Sequence, residues 1–109
     1  MSKIFYDHLI VLEEVDTQIK SLAETEDERK ELWDLVDDMV QKKVMDRIFS
    51  LLPSQDHEEF LGLFHEKPHD ESLLSYLAEK IQDNIEEKIK SDVEDLKEEI
   101  LTLLSEQNG

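Results

Sequence analysis

Apolar side chains recur along most of this chain at steps of three and four, the spacing that gathers them on one side of an α-helix. Phe5, Leu9, Leu12, Val15, Ile19 and Leu22 form one such stripe and predict a helix over about residues 4–24. Ile10 falls off that stripe and is expected to face a partner or solvent. Thr25 and Glu28 make a T-x-x-E capping box, in which each side chain satisfies an exposed amide at a helix start. A second helix should therefore run over about 26–52, stopping before Pro53, which cannot continue the hydrogen-bond ladder. Its first half has one apolar face, Leu32, Leu35, Val36, Met39 and Val40. Its second half is apolar on two sides, Val44, Ile48 and Leu51 against Met45, Phe49 and Leu52. A helix patterned this way is held between neighbours, so residues 44–52 are expected at the middle of the core.

Ser54 is placed to cap a short third helix over about 55–66, with Phe60, Leu61, Leu63 and Phe64 as its apolar face. Asp70 then caps a fourth, carried over about 71–105, roughly 50 Å at 1.5 Å per residue. Its stripe begins at Leu74 and Leu77 and narrows to one apolar residue per turn between Gln82 and Asp95. A helix this long exceeds what a small domain needs. Its seam, Ile81, Ile85, Ile89, Val93, Leu96 and Ile100, is therefore expected to pack against a protein partner or a second copy of the chain. Four acid-before-base pairs at i, i+4 support the helices: Asp16–Lys20, Glu26–Lys30, Asp38–Lys42 and Glu86–Lys90. With only two glycines and two prolines to punctuate 109 residues, tight-turned sheets are disfavoured. The expected fold is all-α: one domain over residues 1–109, a bundle of about four helices with a long C-terminal one.

Charge narrows the function classes. Twenty-nine acidic residues against 12 basic ones leave a net charge of −17. Nucleic acid and anionic membrane surfaces are disfavoured as partners, and the acidic surface suits solubility or a basic partner. The chain has no cysteine, so disulfide and thiolate chemistry are excluded. The apolar run Leu9 to Leu12 is too short for a secretory signal, and no stretch approaches membrane-spanning length. A soluble, cytoplasmic protein is expected.

One stretch suggests chemistry. HEKPH, His65 to His69, fits the H-E-x-x-H pattern, which supplies two zinc ligands and a general base when both histidines share one helix face. Pro68 argues against it. It lacks the amide that would bond to the Phe64 carbonyl, and it pushes Lys67 out of helical geometry. The helix should end near Glu66, leaving His69 in a loop. A weaker metal reading gathers His57, His65, His69 and Asp70 around the third helix, since imidazole with carboxylate suits zinc or nickel. Di-iron bundle chemistry needs two E-x-x-H elements, and only Glu66–His69 matches. The acids Asp34, Asp37 and Asp38, and those from Glu86 to Glu99, read as solvated faces. Trp33 borders the second helix face, as a core edge or as a binding anchor. No catalytic triad, phosphate loop or cofactor fingerprint is present, and no cofactor is expected.

The segment LWDLVDDMVQKKVMDRIFSLLPSQDHEEFLGLF, residues 32–64, resembles a family of short acidic all-helical bacterial proteins of unknown function from candidate-phylum genomes. The resemblance rests on VQKKVMDRIFSLLP followed by an acidic turn and EEFLGLF. It implies a bacterial cytoplasmic protein and names no catalytic residue.

The expected function is therefore non-enzymatic: a helical protein–protein interaction or self-associating protein. The alternatives are an acidic decoy that binds a basic nucleic-acid-binding protein and, less favoured, a metal-dependent hydrolase acting through HEKPH.

Overall fold

The computed structural model describes residues 4–107 and is helical throughout, with no strand among those residues. Five α-helices follow in order: α1 Glu13–Leu22, α2 Glu26–Leu51, α3 His57–Glu66, α4 Ser72–Lys80 and α5 Ile85–Gln107. Short 3-10 turns at Asp7–Leu9 and Ser54–Asp56 precede α1 and α3. The long C-terminal helix is present. The count of about four is corrected to five, because the span 71–105 is two helices.

The break falls at Ile81–Asn84. Ile81 turns extended (φ −105°, ψ 129°), and Asn84 restarts the helix by accepting the Glu87 amide at its Oδ1, 3.2 Å away. An unbroken helix would carry its far half away from the rest of the domain. The kink lets α5 pack on α1, α2 and α4, and Ile81 stays buried.

The first helix is also shorter than expected. Residues 4–12 are a single 3-10 turn followed by an extended step at Ile10 (φ −102°, ψ 122°). Four consecutive apolar residues, Leu9 to Leu12, cannot share one helix face. The chain resolves the conflict by uncoiling, which buries Leu9, half-buries Ile10 and Leu12, and leaves Val11 61% exposed. The third helix starts two residues late, after the 3-10 turn, and the Ser54 side chain makes no cap.

α2 runs nearly as predicted. The Thr25 hydroxyl accepts the Glu28 amide at 3.1 Å, and the Glu28 carboxylate reaches back to the Glu24 amide at 3.4 Å. Val44 and Ile48 are fully buried, with Leu52 beside them and Met45, Phe49 and Leu51 packed around. Of the expected i, i+4 pairs, Asp16–Lys20 forms at 2.9 Å. Lys30 and Lys42 turn forward instead, to Asp34 and Asp46.

An aromatic cluster closes the end of the bundle where α2, α3 and the N-terminal segment meet. Phe5 meets Phe60 and Phe64 edge-on at 6.2 and 5.9 Å, and Phe49 meets Phe60 at 5.8 Å. The Phe5 amide donates to the Pro68 carbonyl at 2.9 Å, which pins residues 4–12 to the α3–α4 loop. The molecule is elongated, 46 × 25 × 19 Å, with a radius of gyration of 15.3 Å. A compact domain of this length would have about 13 Å.

Candidate functional site

The HEKPH stretch splits as Pro68 predicts. α3 ends at Glu66, Lys67 leaves helical geometry (φ −141°, ψ 74°), and His69 lies in the loop beyond. The two histidines do not share a helix face. Two of the four candidate metal ligands, His57 and Asp70, are held in local contacts of their own. His57 is within 2.8 Å of the Leu52 carbonyl and packs edge-on against Phe49, so it braces the α2–α3 corner. Asp70 lies one residue ahead of the α4 N-cap, Glu71, and accepts the Ser72 amide at 2.9 Å, which holds its carboxyl below the usual range. His65 and His69 point to solvent. Among the described residues, no three His, Asp or Glu side chains converge as a metal site.

The seam expected to meet a partner is placed differently. Ile81, Ile85, Ile89, Val93, Leu96 and Ile100 are each 5% exposed or less and belong to the chain's own core. The kink at Ile81–Asn84 is the reason, since it folds α5 back onto α1 and α2. The stripe is narrow because α5 has close neighbours on one side only. Its outer acids, Glu86, Glu87, Glu94, Asp95, Glu98 and Glu99, all face solvent.

The open concavity lies elsewhere, between residues 4–12 and the first half of α2. It is a groove of about 910 Å³, within the size range of ligand-binding clefts. Ile4, Ile10 and Leu12 line one wall and Trp33 and Val40 the other, with Tyr6 between them. Trp33 is half-buried: part of its ring rests on the core and part lines the groove. The groove exists because Ile10–Leu12 are not helical. Sequence periodicity missed it by continuing α1 through these positions.

Asp7, Glu26, Asp34 and Asp37 stand along the groove with Arg29 and Lys30. Lys30 is engaged by Asp34 at 2.9 Å, and the Arg29 Nε donates to the Ala23 carbonyl at 3.2 Å. The Asp37 carboxyl is held above its ordinary range, first by partial burial and then by Asp34, Asp38 and Asp7. The Tyr6 hydroxyl is raised too, by burial and then by Asp37 and Asp7. Crowded negative charge on a partly apolar floor is the electrostatic character of this site.

A second, smaller hollow of about 260 Å³ lies between α3 and α4, with Leu63, Lys67 and Tyr76 in its lining. The Tyr76 hydroxyl is buried without a well-formed hydrogen bond. Burial, and after it the neighbouring Glu59, push its pKa up to about 12. No helix in the described residues is long and apolar enough to cross a membrane.

Comparison of the chain with protein-family models, with curated proteins and with solved structures gives no match.

Proposed function

We propose that this chain is a non-enzymatic helical protein–protein interaction module that docks its partner in the groove between residues 4–12 and α2. The observation that carries this reading is Trp33, half-buried in an open groove beside Ile10 and Leu12. Tryptophan concentrates at interface hot spots, where a large ring reaches full burial only on binding. The partner class is protein. A net charge of −17 disfavours polyanions, whether nucleic acid or anionic membrane.

Affinity capture from the native host, with identification by mass spectrometry, tests the reading. Wild-type chain should retain a partner that Trp33→Ala loses, both proteins showing the same helical circular dichroism. Equal capture by the two would remove the groove as the docking surface. Sedimentation equilibrium decides whether that partner is a second copy of the chain.

The charge also favours a second reading, an acidic decoy that occupies a basic nucleic-acid-binding protein. It separates from the first by its response to salt and by its indifference to Trp33.

A further inference from the structure

The groove wall contributed by α2 is one face of a helix. Glu26, Arg29, Trp33, Asp37 and Val40 follow one another at steps of three and four along it. They span about 21 Å of axis at 1.5 Å per residue, or four turns. The facing wall, residues 4–12, is irregular and covers the α2 face only in part: Val40 is buried and Trp33 half-buried, while Glu26, Lys30, Asp34 and Asp37 stay exposed. A trough of this shape beside a straight helical face suits a second helix, which packs by setting its ridges between the side chains of the first.

The charges select the kind of helix. Asp7, Glu26, Asp34 and Asp37 line the groove with two cations; Asp34 is paired with Lys30, and the Arg29 Nε is turned to the Ala23 carbonyl. Among the described residues, no cation pairs with Asp7 or Asp37. Partial burial and mutual repulsion already raise the Asp37 carboxyl, and an incoming cation would relieve both.

We infer that the groove binds a basic amphipathic helix of a partner protein, its apolar ridge against Trp33 and Ile10 and its Lys or Arg side chains against Asp7 and Asp37. This inference rests on the docking reading above and adds the chemistry of the partner.

Trp33 is the only tryptophan, so its fluorescence reports on the groove directly. The probes are synthetic peptides of about 14 residues, four helical turns. One is a Leu/Lys sequence with its leucines on one face, and one is the same composition scrambled off that face. The third is a Leu/Gln sequence with the amphipathic pattern and no charge. The Leu/Lys amphipath should shift Trp33 emission to the blue and bind about tenfold tighter than either control, the effect of one well-placed charged contact. The double variant Asp7→Asn, Asp37→Asn should lose about that factor while keeping its circular dichroism. Equal binding of the scrambled peptide would overturn the proposal, since diffuse attraction to an acidic protein would then explain it. So would unchanged affinity in the double variant. Equal binding of the Leu/Gln amphipath, with the Trp33 shift, would reject the basic partner and leave the docking groove standing. Loss of the docking reading is seen separately, in host capture that ignores Trp33→Ala.

Discussion

Arg47 on α2 grips Asp92 on α5 with two hydrogen bonds, Nε to Oδ2 at 2.6 Å and Nη2 to Oδ1 at 2.9 Å. The pair is the charged clasp between the two longest helices, and its halves are not equally placed. The Asp92 side chain is 9% exposed and that of Arg47 is 37% exposed. Removing the arginine strands a carboxylate inside the protein. Removing the aspartate frees an arginine that can turn to water. Arg47→Ala should therefore destabilise more, by about 2–4 kcal/mol, than Asp92→Ala, at about 1–2 kcal/mol. Urea denaturation of both at pH 7 checks the order, and the reverse order would contradict the buried position of Asp92.

Two carboxylates should give opposite pH dependences. The Arg47 hydrogen bond, more than any other influence, lowers the Asp92 pKa. Its stabilising effect is complete above the unfolded value, about 3.9, and fades as pH falls through the lower folded value. Asp37 is raised in the folded state, so it costs stability at neutral pH, and that cost disappears as pH falls through its folded value. Asp37→Asn should be slightly more stable than wild type at pH 7, with the advantage vanishing toward pH 4. Asp92→Asn should be less stable at pH 7, with its deficit closing only at more acidic pH. Thermal melts across pH 3–7 measure both.

Ile89 tests what the α5 stripe is for. It is fully buried within a single chain, so Ile89→Ala should cost about 2–4 kcal/mol whatever the protein concentration. Leu35→Ala, at a position 57% exposed, should stay within about 0.5 kcal/mol. A melting temperature for Ile89→Ala that recovers with rising concentration would return the stripe to an intermolecular role.

Asn84 holds the start of α5 through the Glu87 amide. Asn84→Ala should cost about 1 kcal/mol, while Asn84→Ser or Asn84→Asp should keep most of that contribution. Chemical denaturation of the three variants separates a cap from a merely tolerated loop residue.

Much of the architecture is legible in the residues, and what is not has identifiable causes. Thr25, Glu28 and Pro53 bound α2 because caps and prolines act locally. The two-sided pattern from Val44 to Leu52 marks the core because only a helix with neighbours on both sides can bury it. The kink before α5 was written as N-x-x-E at Asn84–Glu87, a helix-start signature hidden inside an unbroken apolar stripe. Periodicity alone ran past it, since Ile81 and Ile85 stay in phase across the break. The uncoiling of Leu9–Leu12 had a signal as well, four apolar residues in succession. The groove had none. It arises from where residues 4–12 lie against α2, and that path is set by a backbone hydrogen bond from Phe5 to Pro68, a contact no local pattern encodes.

That hydrogen bond gives the N-terminal strap two duties at once. On its inner side Phe5 plugs the ring cluster of Phe60 and Phe64, and on its outer side Ile4, Ile10 and Leu12 shape the cleft beside Trp33. Peeling the strap away would open the hydrophobic interior and erase the cleft in a single motion. The seal on the interior and the proposed docking cleft are thus fastened to the same nine residues, and neither can be loosened without the other.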